Sequence, residues 1–229
     1  MLIIFDLDDT LIDTTGSLSP FFLRRAFIRM KEKGLKEEDE NKLLELNQTS
    51  PSSTAALKIF LKQIGADPSF FEIGAEALSE SLPDDLQVNS LEGAHTLLSE
   101  LSQSHRLALV TFGEEKRQKQ KWEKAGIDSR LFCKIVFSKQ ENKEFIYKKL
   151  LEELHLPPNQ CIVVGDRPKG DLSGAKKLGM WTIHMKWGRG IYAETDSAWV
   201  DFEVQRLLEI KDKVQEITSW RTPTKFTRE

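Results

Sequence analysis

Asp6, Asp8 and Asp9 occupy three of four positions in "FDLDDT", directly after the apolar run Leu2-Ile3-Ile4-Phe5. Like charges gathered at the end of a buried segment repel one another and lose hydration, so such a cluster is costly unless a cation or a reaction uses it. Two further stretches carry related groups. "RLALVTFG" runs from an apolar strand into Thr111, Phe112 and Gly113, and "QCIVVGD" delivers Gly165 and Asp166, with Asp171 five residues on. Several carboxylates brought together ask for a hard cation with oxygen ligands, Mg²⁺ before Zn²⁺. Each piece has a plain structural reading too: Asp9 and Asp13 suit a turn, and Asp171 suits the N-cap of "LSGAKKLG".

These groups converge only if the chain places the strand ends on one rim. From residue 91 onward, short apolar segments ("RLALVTF", "CKIVFS", "QCIVVG", "MWTIHMKWG", with "AWVDFEV" as a last edge strand) alternate with helical patterns. That alternation predicts an α/β fold, a Rossmann-like parallel sheet with helices on both faces. In such a sheet every strand carries its C-terminal end to the same rim, where ligands bind. Between about Pro20 and Leu82 the pattern is helical throughout, with Gly34 as a stop. This predicts a helical insertion at residues 15–87 in a core made of residues 1–14 and 88–229. The charged stretch "EEKRQKQKWEKAGI" reads as an exposed helix.

The chain of 229 residues, net charge −3, has no basic excess to suit nucleic acid. No apolar run is long enough for a membrane span, and no signal peptide is evident, so a cytoplasmic protein is expected. Cys133 and Cys161 read as reduced core residues.

"DLDDT", "LALVTFG" and "VVGDRPKGD", in that order and strand context, resemble the first, second and fourth motifs of the haloacid dehalogenase-like superfamily, and the helical insertion matches its C1-type cap. The resemblance implies a phosphatase acting on a small phosphorylated metabolite. Asp6 would be the nucleophile that forms an aspartyl-phosphate, and Asp8 the general acid and then base. Asp6, the backbone carbonyl of Asp8, and Asp166 would hold Mg²⁺. Thr111 and Phe112 would bind phosphate, with Thr10 and Asp171 orienting the site. Asp8 argues for phosphate chemistry over dehalogenation, which needs no acid for its leaving group.

The family's phosphate-binding lysine is not marked by its usual "KPDP". Lys143, one turn before Tyr147 with Asn142 as N-cap, is the preferred candidate. Lys139 is the alternative, because "SKQE" is a capping-box pattern that would start the helix at Ser138. Arg24 and Arg25, on the first helix of the insertion, are candidate substrate contacts. A phosphomutase or phosphonatase on the same scaffold is the alternative enzyme, the latter wanting one of the cap lysines. A non-catalytic binding module is the alternative outside enzymology.

Overall fold

The computed structural model describes residues 1–194 and 196–220. Its centre is a six-stranded sheet of β1 (Leu2–Phe5), β2 (Arg106–Phe112), β3 (Phe132–Ser138), β4 (Cys161–Gly165), β5 (Trp181–Met185) and β6 (Phe202–Val204), in the order β3-β2-β1-β4-β5-β6. Every pairing is parallel. The expected last strand is shorter than "AWVDFEV", because Ser197–Trp199 coil into a single 3₁₀ turn ahead of β6.

The apolar strands follow from burial on both faces. Ile3, Phe5, Leu107, Leu109, Ile162 and Val164 turn to one side, where α5 (Ala94–Ser102), α6 (Glu115–Lys124) and α9 (Glu209–Ser219) add Leu97, Trp122 and Ile210. Leu2, Ile4, Ala108, Val110, Cys161 and Val163 turn to the other, against Tyr147 and Leu150 of α7 (Glu144–Leu154) and Ala175 of α8 (Ser173–Lys177). The alternation has the two-residue period of a strand. All four residues of β1 are fully buried, which is why this strand tolerates no polar group until Asp6.

Four helices, α1 (Ser19–Glu32), α2 (Asn41–Thr49), α3 (Ser53–Gln63) and α4 (Ser69–Ser79), fill the stretch between β1 and α5. They have a separate apolar centre of Leu23, Phe27, Met30, Leu43, Leu57 and Phe60. Gly34, at φ +100°, ends α1 as expected, while Leu35 N–H returns to Met30 O. The two chain segments joining this layer to the sheet run side by side: Asp13 N–H donates to Asn89 O, and Leu91 N–H to Leu11 O. The division is not sharp, because Leu18, Phe22 and Leu82 of the insertion pack into the core of the sheet.

Two expectations need correction. Cys133 is exposed, at the point of the edge strand β3 where the register with β2 shifts between Phe132 and Lys134 and skips it; Cys161 is buried as expected. The helix α6 is not simply exposed, because Gln118, Lys121 and Trp122 are buried. No helix among the described residues is long and apolar enough to cross a membrane.

Candidate active site

The chain builds outward from β1 in one direction through β2 and β3, and in the other through β4, β5 and β6. The reversal of direction lies between β1 and β4, the place where open α/β sheets bind ligands. Asp6 follows β1 and Asp166 follows β4, so the two acidic ends lie beside each other there. Carboxylate oxygens of Asp6, Asp166 and Asp171 lie within 4.8 Å of one another, and all three residues are buried. Asp171 does not cap α8; it sits in the wide turn Pro168–Leu172, where its Oδ2 accepts from Arg167 N–H at 3.0 Å.

Lys143 joins this cluster from the start of α7. Its Nζ lies 2.6 Å from Asp6 Oδ1 and 2.6 Å from Asp171 Oδ1, and donates to Val110 O at 2.9 Å. The side chain is 2% exposed. Lys143 is itself the N-cap residue of α7, while the Asn142 side chain accepts from Glu144 N–H at 2.9 Å. Ser138 ends β3 and starts no helix, so the capping-box alternative fails. Lys139 lines a cleft of about 380 Å³ between β3 and α7 and has no bond to the carboxylates.

Burial is the main influence on the Asp6 carboxyl and pushes it up to about 7, with Asp171 and Asp8 adding to the effect and Lys143 opposing it. Burial likewise raises Asp166 well above the usual carboxylate range. Asp166 is 2% exposed, yet no hydrogen-bond donor among the described residues reaches its carboxylate. Its backbone carbonyl is held at 3.0 Å by Nε2 of His184, a fully buried residue on β5. An unpartnered buried carboxylate beside a second one fits a hard divalent cation, and the all-oxygen donor set fits it as well.

Asp8 points to a different set of partners. Lys121 Nζ lies 2.7 Å and 2.9 Å from its two oxygens, Gln118 Nε2 donates to it at 2.9 Å, and Thr14 Oγ1 also donates to it. Burial acts to raise this carboxyl, but Lys121 and these hydrogen bonds outweigh it and hold it well below the usual range. Gln118 Nε2 also reaches Thr111 Oγ1 at 2.5 Å and Phe112 O at 3.0 Å, which ties the end of β2 to Asp8. Asp8 is thus held by Lys121, Gln118 and Thr14, a set of partners separate from the Lys143 cluster of Asp6 and Asp171.

Sequence reasoning missed Gln118, Lys121, Thr14 and His184. A signal for two of them was present: Gln118, Lys121, Trp122 and Ala125 recur at spacings of three and four, and Trp122 and Ala125 mark that face as the inner one. Among the predicted residues, Asp9 is a turn residue at φ +54°, its carboxylate bonded by Thr15 N–H at 2.7 Å. Thr10 is fully buried, and its hydroxyl has no hydrogen-bond partner among the described residues. Arg24 and Arg25 are not brought to the cluster; they pair with Glu40 at 3.4 Å and Glu80 at 2.7 Å.

The profile of the haloacid dehalogenase-like hydrolases matches residues 3–185 of the chain. The chain belongs to this family. Among its relatives are the glyceraldehyde 3-phosphate phosphatase of Pyrococcus furiosus, 27% identical over 93% of both chains, and the N-acylneuraminate-9-phosphatase of Rattus norvegicus, 26% identical over 94% of both. In fold, this haloacid dehalogenase-like hydrolase is similar to a predicted phosphoglycolate phosphatase from Haemophilus somnus, with a TM-score of 0.71, 20% identity and coverage of 93% of this chain and 97% of that one. With phosphatases as its curated relatives, this family member is a phosphoric monoester hydrolase.

Proposed function

We propose that the protein is a Mg²⁺-dependent phosphatase of a small phosphorylated metabolite, working through a phosphorylated Asp6. The observation that carries this reading is the gathering of the buried Asp6, Asp166 and Asp171 carboxylates within 4.8 Å of one another beside the strand ends, with the Lys143 cation held between Asp6 and Asp171. Asp6, Asp166 and the Asp8 carbonyl would hold the ion, which when bound neutralises charge between the nucleophile and the phosphoryl group.

Asp6 attacks phosphorus as the ester oxygen leaves, and the acyl phosphate forms on its carboxylate. Lys143 and the Thr111 hydroxyl supply donors to the phosphoryl oxygens. The ester oxygen departs towards Asp8, which gives it a proton and then takes one from the water that hydrolyses the acyl phosphate. The Lys121 pair suits that second half, because it keeps Asp8 ionised. Giving a proton in the first half requires Asp8 to leave the pair and gain a proton as the ester binds.

The helical layer, residues 15–87, is the cap of this enzyme, and residues 1–14 and 88–229 are its core. Of the six cap lysines that phosphonatase chemistry could use, Lys31 pairs with Glu38, Lys42 pairs with Glu37 and Lys58 lies over the Phe71 ring, which leaves Lys33, Lys36 and Lys62 for that alternative. The archaeal relatives make glyceraldehyde 3-phosphate the first natural substrate to try. Its hydrolysis and that of p-nitrophenyl phosphate should require Mg²⁺, stop with EDTA, and be abolished in Asp6→Asn. Turnover that survives Asp6→Asn would overturn the aspartyl-phosphate mechanism.

A further inference from the structure

Arg189 is a buried cation that the chemistry above does not use. It lies in the short turn Gly188–Ile191 after β5 and is 9% exposed. Its Nε donates to Asn47 O at 3.2 Å, and its Nη2 donates to Asn47 Oδ1 at 2.6 Å and Ser53 Oγ at 2.8 Å, with Ser19 Oγ at 3.4 Å. Ser53 Oγ donates in turn to Asn47 Oδ1 at 3.0 Å. Among the described residues no carboxylate forms an ion pair with Arg189. A guanidinium taken from water and given only neutral partners is expensive to bury. The acidic groups of the rim offset part of that cost, because Asp9, Asp166 and Asp8 all favour its charge while Arg167 opposes it.

The same turn is fastened to the catalytic loops. A Cβ at Gly188 would sit 2.7 Å from the carboxyl carbon of Asp9, and one at Gly190 would sit 3.0 Å from Asp166 O. Trp187 Nε1 donates to Asp13 Oδ1 at 3.2 Å, in the segment that leads into the helical layer. Arg189 therefore extends from a turn packed on Asp9 and Asp166 to Ser19 of α1, Asn47 at the end of α2 and Ser53 at the start of α3. Two further polar ties from the core reach the return segment, Arg117 donating to Glu80 O and Lys124 to Asp84 O at 2.8 Å, and Arg117 also lies over the Phe22 ring of α1.

We propose that Arg189 is the positioning residue that holds the cap closed, seating the α2–α3 corner, Asn47 to Ser53, on the catalytic rim. Opening the cap breaks its bonds to that corner and returns the guanidinium to water. The closed fraction then sets apparent substrate affinity, since a binding-competent state populated less often binds more weakly in proportion. Arg189 does not touch the reacting atoms and acts through the cap. The inference rests on the division into cap and core, not on the identity of the substrate.

The test is amide hydrogen exchange on the full chain without substrate, with steady-state kinetics beside it. Arg189→Met should speed exchange at residues 47–53 and in the joining segments 13–18 and 80–90 by about tenfold, the equivalent of about 1.4 kcal/mol. Exchange in β1 and β4 should not change. While the closed form predominates, a tenfold gain in opening lowers its population only slightly, so KM should rise less than about twofold, kcat should change less than about threefold, and Arg189→Lys should recover part of the faster exchange. Asn47→Asp places a carboxylate against the guanidinium and should slow exchange at 47–53, an effect that disappears in the Arg189→Met background. Unchanged exchange at 47–53 in Arg189→Met would overturn the proposal. Should that variant fail to fold, unchanged or faster exchange in Asn47→Asp would overturn it just as well. The exchange result is independent of turnover, so failure of the phosphatase reading would show separately, as Mg²⁺-dependent hydrolysis that is absent from the wild type.

Discussion

Lys143→Met isolates the charge at the centre of the site. Methionine keeps most of the apolar stem and removes the ammonium that lies 2.6 Å from both Asp6 and Asp171. The carboxylate oxygens left behind lie within 4.8 Å of each other. Two full charges at that distance repel by about 3.5 kcal/mol at an effective dielectric constant of about 20. Removing one partner from a buried ion pair typically costs about 3–5 kcal/mol, so the two routes agree. The metal-free variant should therefore lose about 3–5 kcal/mol in urea denaturation at pH 8, a large share of a typical domain's stability of about 5–15 kcal/mol. The penalty should shrink as the pH falls. Asp6 already holds its proton up to about 7 in the intact protein, and losing Lys143 removes the influence that lowers it. The folded variant then binds a proton that the unfolded chain releases above about pH 4, so its stability falls as the pH rises through that window. Because Asp6 in the intact protein is itself protonated below about 7, the penalty at pH 5 should be smaller than at pH 8 by about 1.4 kcal/mol, the linkage of one proton over one pH unit. A loss below about 1 kcal/mol at pH 8, or one that does not change with pH, would refute the reasoning.

The remaining predictions are simpler. Asp8→Asn should lower kcat/KM for an alkyl phosphate by about 10²–10⁴ and much less for p-nitrophenyl phosphate, whose leaving group needs no proton; equal losses would exclude a general-acid role. Gly190→Ala puts a Cβ 2.5 Å from Met185 O and 3.0 Å from Asp166 O, both backbone atoms with little room to shift. It should cost about 1–3 kcal/mol in denaturation and weaken Mg²⁺ binding by calorimetry. In the intact, metal-free protein, Asp6 and Asp166 hold protons more tightly folded than unfolded. Thermal stability should therefore fall between pH 5 and pH 7.5, and Mg²⁺ should restore most of it at the upper end; a rise over that range would contradict the assigned direction.

Much of the site was legible because strand ends are legible. Apolar runs that stop at Asp6, Thr111 and Asp166 name the three places where a parallel sheet offers groups to a ligand, and the structure puts them on one rim. Lys143 could be chosen over Lys139 from its distance to Tyr147, a local measure that needs only helical geometry. The surroundings of Asp8 were harder to see. "EEKRQKQKWEKAGI" looks solvated because its charges dominate, and the two that turn inward, Gln118 and Lys121, belong to the same residue types as those that do not. Arg24 and Arg25 lie on the first cap helix as expected, and their partners there, Glu40 and Glu80, were not readable from spacing along the chain.

Residue order alone determined the α/β core, the helical insertion, and which carboxylates end which strands, because burial on both faces and the spacing of polar groups are written along the chain. Only the tertiary structure decided what those carboxylates face. Lys143 reaches Asp6 across 137 positions, Lys121 reaches Asp8 across 113, and Arg189 reaches Asn47 across 142. A side chain's charge is local in sequence, but its partner is set by the packing of helices and turns on a sheet whose order differs from the order of the chain.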